Sequence, residues 1–201
     1  GGGAVGDVGM LTCQEVRGPF GVNFRYDAAR SGGAILEKNV HDFDLFNWYA
    51  DADPVRVAAF GGQHVFTEDS DIVDQATVVV EYANGVLGTL ELCLYAEFGQ
   101  RKRRYEVRGS AGILRSPEET TAIDHYTVDR TERIDVHTED LGSHMGGDRR
   151  QMARFLRCLA GDAEPPGDLT DAKKAAAVAL AAERAVADHR MVAITDEYDL
   201  R

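Results

Sequence analysis

The segment that most limits the possible folds of this chain lies in its middle, at residues 76–94. It contains two runs of alternating apolar and polar side chains, ATVVVEYA and VLGTLELCL, joined by Asn84-Gly85. Alternation with a period of two is typical of a strand that buries one face. Asn-Gly is the dipeptide best suited to the positive φ angles of a type I′ turn. The sequence therefore predicts a β-hairpin here.

Further strand-like segments lie on both sides of the hairpin. Residues 7–16 (DVGMLTCQEV) are rich in strand formers, and Gly18-Pro19 ends the run. Residues 103–114 and 122–137 alternate in the same way and are separated by turn-forming residues. We expect an antiparallel meander, and in all a sheet of roughly six or more strands.

Three segments carry the helical pattern. Residues 35–50 place apolar side chains at helical spacing on one half of their surface. A second helix ends at Gly161, and a third, rich in alanine, runs from Thr170 or Asp171 to about Asp188. The second helix is amphipathic, with its apolar stripe formed by Met152, Phe155, Leu156 and Leu159. Because the helices are segregated from the run of strands, the predicted class is α+β: an open, mainly antiparallel sheet with helices packed on one face.

The composition fits one globular domain over residues 1–201, and it excludes several partners. The chain has 22 Lys plus Arg against 34 Asp plus Glu, and its net charge of -12 would repel nucleic acid and anionic membrane surfaces. Charged residues interrupt the apolar stretch 172–187, and no signal peptide begins at Gly1. The three cysteines form no CxxC pair, as expected of reduced thiols. We expect a cytoplasmic protein without a metal site and with neither a nucleic-acid nor a membrane partner.

A glycine motif at the start of the chain is the only sign of a nucleotide site. Gly1, Gly3 and Gly6 satisfy G-x-G-x-x-G. In a dinucleotide-binding fold this motif follows a strand and opens a helix, whereas here a strand-like run follows it. We interpret it as a turn before the first strand, and we expect no cofactor-binding residues in this chain.

One stripe of the helix at 35–50 carries residues capable of acid-base chemistry. Glu37, His41, Asp44 and Trp48 are spaced by four, three and four positions, which stacks them along one face. An imidazole beside a carboxylate suits general acid or base work near neutral pH, such as taking a proton from an alcohol. The alternative is a half-buried helix histidine held by local carboxylates.

The residues around this stripe form motifs that resemble those of a known family. Residues 31–48, SGGAILEKNVHDFDLFNW, resemble the Gly-Gly-x-x-Leu-(Asp/Glu)-x-x-x-His-Asp-x-Asp-Leu-x-x-Trp segment of the Gfo/Idh/MocA oxidoreductases. Nearly the whole chain is similar to the second domain of that family. The other matching phrases are AVGDV at 4–8, NGVLGTLEL at 84–92, YEVRGSAGIL at 105–114, HMGGD at 144–148 and AAERA at 181–185.

The resemblance implies a domain that works beside another one. In the family an N-terminal Rossmann domain, missing from this chain, binds NAD or NADP. The second domain binds a small-molecule substrate, here a sugar, polyol or cyclitol, and joins other subunits, which implies a homodimer or homotetramer through the open sheet face. His41 would be the catalytic acid/base, assisted by Glu37, although the family often has Asp at that position and usually Gly at Asn39.

The resemblance also implies substrate contacts at four positions. These are His144, which Gly146 and Gly147 follow, and Asp44, Arg25 and Gln100. An ordinary helix start explains the His144 phrase equally well, and a loop salt bridge is the alternative for Arg25.

Three functions compete at this point. The first is the substrate-binding domain of an NAD(P)-dependent oxidoreductase acting on a secondary alcohol, inactive as an isolated fragment. The second is a catalytically silent ligand-binding or dimerisation module, which the departures at Glu37 and Asn39 keep open. The third, a metal-dependent hydrolase built on Glu37, His41, Asp44 and His144, is weaker because the chain has no HExxH or other compact ligand set.

Overall fold

The computed structural model describes residues 3–19, 23–68, 70–96, 102–116, 122–136, 146–165 and 167–194. The strands are β1 Val8–Val16, β2 Pro54–Gly62, β3 Gln75–Tyr82, β4 Leu87–Cys93, β5 Lys102–Gly109, β6 Gly112–Ser116, β7 Ala122–Tyr126, β8 Thr131–Asp135 and β9 Val192–Ala193. The helices are α1 Ala28–Ser31, α2 Ala34–Ala50, α3 Gly147–Leu159 and α4 Leu169–Asp188, and a 3-10 turn covers Phe24–Tyr26.

The strands form one open sheet of nine strands in the order β8-β7-β6-β5-β1-β4-β3-β2-β9. All neighbours pair antiparallel except β1 and β4, which run parallel. Helix α2 packs against α4 and β1, and α4 packs against β2. The α+β class and the mainly antiparallel sheet are confirmed.

The predicted hairpin is present as β3 and β4, but the type I′ turn is wrong. Gly85 has a φ of +85°, whereas Asn84 is not in the left-handed region. The amide of Gly85 donates to the Tyr82 carbonyl at 2.9 Å, and the Tyr82 amide donates to the Val86 carbonyl at 3.0 Å, so a single left-handed glycine closes a longer loop. The Asn84 side chain instead ties the loop to α2, because its Nδ2 donates to the Ala50 carbonyl at 2.8 Å.

Two strands add to what the sequence predicts, and one predicted turn is present. Strands β2 and β9, absent from the predicted meander, extend the sheet beyond β3. At the other end of the chain, the Gly6 amide donates to the Gly3 carbonyl at 3.4 Å, directly before β1. The described part of the glycine motif, Gly3–Gly6, is therefore a turn before a strand, as interpreted.

The helices α3 and α4, which follow β8, differ in how much of their apolar surface is buried. Helix α4 begins slightly earlier than predicted, because Asp168 is its N-cap and forms a capping box with Asp171. It buries alanines and valines against the core. Helix α3 is amphipathic as predicted, but its apolar stripe is between 55% and 68% exposed rather than packed on the sheet. Of the helices in the described ranges, none is both long and apolar enough to cross a membrane.

Candidate active site on helix α2

Helix α2 presents a buried face and an exposed face. Phe43 and Phe46 are 0% and 1% exposed and belong to the core. On the opposite side, His41 and Asp44 are exposed, and the Trp48 side chain is 71% exposed. The stripe predicted from the sequence therefore lies on the outer surface of the domain, where a substrate or another domain can reach it.

The structure brings together two of the predicted site residues, Arg25 and Glu37. The Nε of Arg25 donates to Oε1 of Glu37 at 2.7 Å. Asn23 holds the backbone of this turn, because its side chain accepts from the Arg25 amide at 2.9 Å. Glu37, and with it the ion pair, lies one helical turn before His41 on the same face of α2.

A buried polar cluster on the inner face of α2 was missed by the sequence analysis. Asp42 is 0% exposed. Its Oδ1 accepts from the Tyr105 hydroxyl, and its Oδ2 accepts from Asn39 Nδ2 at 2.8 Å and from Arg103 Nη2 at 3.3 Å. Three donors from two elements therefore satisfy one buried carboxylate, which is the condition for such a group to be tolerated.

A second carboxylate, Glu15 on β1, extends this cluster. Arg103 Nε donates to it, and Lys38 Nζ lies 3.4 Å from its Oε1. Two acids therefore face two cations beneath the helix. Burial and then the negative charge of Asp42 raise the pKa of Tyr105, so that its hydroxyl remains a neutral donor. The cluster fixes the rotation of α2 about its axis, and so the direction in which the outer stripe points.

The remaining predicted residues lie apart from this geometry. Asp44 is on the exposed face of α2. Gln100 and His144 are outside the described residues. Among the described residues, no group of three or more His, Cys, Asp or Glu side chains is arranged to hold a metal ion.

The described domain is an open sheet covered on one side by α2 and α4, with an exposed histidine on α2 and a half-buried ion pair between Glu37 of α2 and Arg25 of the preceding 3-10 turn. The sequence profile described as "Oxidoreductase family, C-terminal alpha/beta domain" matches residues 1–194. The chain belongs to this family, the Gfo/Idh/MocA oxidoreductases, as its C-terminal domain.

Individual relatives agree with this assignment. The chain is 27% identical to the inositol 2-dehydrogenase of Rhizobium meliloti over 195 residues, which cover 96% of the chain and 58% of that protein. It is 26% identical to the myo-inositol 2-dehydrogenase of Thermotoga maritima over 171 residues, 83% of the chain and 50% of that protein.

A solved structure shares the fold. An oxidoreductase from Agrobacterium radiobacter, in complex with NAD+, L-tartaric acid and magnesium, matches with a TM-score of 0.77 and 16% identity over 96% of this chain and 58% of that one. The aligned part of the chain thus covers between 50% and 58% of the length of these relatives.

Proposed function

We propose that this chain is the substrate-binding domain of an NAD(P)-dependent dehydrogenase that oxidises a secondary alcohol of a sugar, polyol or cyclitol, with His41 as the acid/base. The observation that carries the proposal is the exposed position of His41, one turn after the Arg25–Glu37 ion pair, on a helix locked from its inner side by Asp42. The two inositol dehydrogenases among the relatives make myo-inositol the first substrate to test.

The nicotinamide cofactor does not fit the described residues of this chain. The turn at Gly3–Gly6 leads into a strand, so it lacks the helix N-terminus that binds a pyrophosphate. We assign NAD or NADP to an N-terminal domain outside this sequence. The exposed Trp48, which lies about two turns after His41 on the same stripe, fits this arrangement, because a large exposed aromatic side chain favours a surface that another domain covers.

His41 would accept the hydroxyl proton as the alcohol is oxidised, and return it in the reverse direction. Glu37 is paired with the Arg25 guanidinium one turn before His41, so its carboxylate is held in a fixed position. Arg25, Asp44, Gln100 and His144 would contact the substrate hydroxyls. This division of labour leaves orientation and proton transfer to the chain, and the redox step to the cofactor.

We also propose a cytoplasmic homodimer or homotetramer that is joined through the open sheet face. All three cysteines are free, as expected in a reducing compartment. On the face away from α2 and α4, Phe60 is 83% exposed.

Replacement of His41 in the intact enzyme tests the proposed role. His41→Ala should lower kcat for myo-inositol oxidation by about a hundredfold or more, with cofactor affinity unchanged, because the proton acceptor is lost. His189→Asn is the matched control, since His189 is an exposed histidine at a left-handed helix end where asparagine is tolerated. Near-normal turnover of His41→Ala would instead support the catalytically silent module.

A further inference from the structure

The first turn of α2 receives no cap from its own sequence. Its N-cap residue is Gly33, which has a φ of +101° and no side chain to accept a hydrogen bond. The first intrahelical hydrogen bond is that of the Glu37 amide to the Gly33 carbonyl, at 3.0 Å. The amides before Glu37 therefore need acceptors from elsewhere.

That acceptor comes from α4. Oε1 of Glu183 accepts from the Ile35 amide at 2.7 Å, across a sequence separation of 148 residues. The same carboxylate is hydrogen-bonded to the Leu36 backbone. A negative group at this end of a helix also interacts favourably with the helix dipole. One side chain of α4 thus takes the place of a local N-cap.

Glycine at position 33 leaves the space that this carboxylate occupies. A Cβ built on Gly33 would lie 2.2 Å from Oε1 of Glu183, so any larger residue would push the carboxylate away. Gly33 and Glu183 are therefore complementary: because Gly33 has no side chain, the carboxylate of Glu183 can reach the first turn of α2.

The turn held by Glu183 is the turn that carries the candidate site. Ile35 and Leu36 directly precede Glu37, and Glu37 is bound to Arg25 at 2.7 Å. His41 lies one turn further along the same helix. Fraying of the first turn would displace Glu37 and its ion pair relative to His41, while the Asp42 cluster would still hold the middle of the helix.

We propose that Glu183 is a positioning residue of the enzyme. It fixes the first turn of α2 from the neighbouring helix, and so sets the placement of Glu37 and Arg25 against His41 without contacting the substrate. The inference rests on the proposed function, since it concerns the geometry of the same site.

The kinetic test uses the full-length enzyme with NAD+ and myo-inositol as probes. Glu183→Ala should lower kcat by about tenfold or more with KM within about threefold, because a displaced turn costs transition-state alignment more than substrate binding. Glu183→Gln should restore most of kcat, since its amide oxygen can still accept the Ile35 hydrogen bond. Val178→Ala, a fully buried change on the same helix, serves as the stability control and should keep kcat.

Hydrogen exchange followed by mass spectrometry gives a second readout that needs no substrate. In Glu183→Ala, the amides of residues 35–37 should exchange at least about tenfold faster than in the wild type, while those of β3 and β4 stay protected. Glu183→Gln should restore protection. Unchanged exchange at residues 35–37 in Glu183→Ala would overturn the inference.

The two proposals fail in different ways. If His41→Ala is inactive but Glu183→Ala keeps wild-type kcat, only the positioning role is wrong. If Val178→Ala loses kcat as much as Glu183→Ala at equal loss of stability, activity follows stability and the positioning role is again overturned. If His41→Ala is active while residues 35–37 lose protection in Glu183→Ala, the cap is real and the proposed catalysis is wrong.

Discussion

At the scale of single residues, Glu183 combines a favourable hydrogen bond with an unfavourable burial. Desolvation raises the pKa of its carboxyl above the usual glutamate range, and the backbone hydrogen bonds from Ile35 and Leu36 offset only part of that rise. The folded protein consequently binds more protons at this site than the unfolded chain, at pH values between the unfolded and folded pKa.

This raised pKa predicts a pH-dependent stability. The free energy of unfolding of the wild type should contain a contribution that falls as pH rises from the unfolded pKa of Glu183 through its folded pKa, because ionisation is harder in the folded state. Glu183→Gln lacks that contribution, so its stability relative to the wild type should improve with rising pH across the window. Urea denaturation at a series of pH values measures the difference. The exposed Glu68, changed to Gln, is the control; a difference that moves the opposite way contradicts the argument.

Individual residues also show how much of the candidate site can be predicted from the sequence. The i, i+4 spacing of Glu37 and His41 places both on one face of α2, and the resemblance supplies their expected roles. The sequence did not indicate the partners of Asp42, which directly follows His41. Arg103 and Tyr105 come from β5, about 60 residues further along the chain, and only the strand pairing of the folded sheet brings them near α2. For Arg25 the sequence offered a salt bridge as the alternative to a substrate contact, and Arg25 does form one, but nothing in the sequence identified Glu37 as its partner.

At the scale of elements, alternation and turn chemistry predicted the central hairpin, but not its exact loop. Strand β2 was missed because its run of small residues, PVRVAAFGG, has a weak pattern that becomes a strand only through pairing with β3. The apolar spacing of Val40, Phe43 and Ala50 did predict the inner face of α2, where Phe43 and Ala50 are buried and Val40 is half-buried. Local periodicity therefore predicts an element well when its own residues form a continuous apolar face. It predicts an element poorly when the element forms only by pairing with a neighbouring strand.

The hairpin loop gives a clean test of backbone conformation. Gly85 has a φ of +85°, and a Cβ there would meet nothing within 4 Å, so only the left-handed conformation opposes a side chain. Gly85→Ala should therefore lower the free energy of unfolding by about 1–2 kcal/mol. Gly9, on β1, also has nothing within 4 Å but has no positive φ, so Gly9→Ala should cost little. Chemical denaturation of the two variants compares them; equal costs would remove the conformational explanation.

At the scale of the whole molecule, the domain leaves several apolar surfaces uncovered. The α3 stripe, Trp48 and Phe60 are all more than half exposed. The sequence predicted that one sheet face would stay open, because it contained too few helices to cover both. It could not show which side chains occupy that face, since this depends on the register of strands that are far apart in the chain.

The open face has the features of a contact surface between subunits. Phe60 lies on β2 opposite Thr77, and Met10 pairs with Leu87 across β1 and β4. Towards the β8 edge, Glu106, Arg115, Asp124 and Arg133 form one row of alternating charge across four strands, with ion pairs inside it. Because these four charges are already paired within the sheet, a second copy could cover this row without leaving any of the four unpaired.

Self-association should therefore depend on Phe60. The protein should have the mass of a dimer or tetramer in light scattering, and Phe60→Glu should weaken association by about thirtyfold or more, because an aromatic anchor is replaced by a charge that must be desolvated. Val128 is 98% exposed in the turn between β7 and β8, away from the sheet face, so Val128→Glu should leave the mass unchanged. A wild-type protein that remains monomeric at high concentration would refute the sheet-face contact. An equal effect of both variants would mean that added charge, and not the position of Phe60, drives the dissociation.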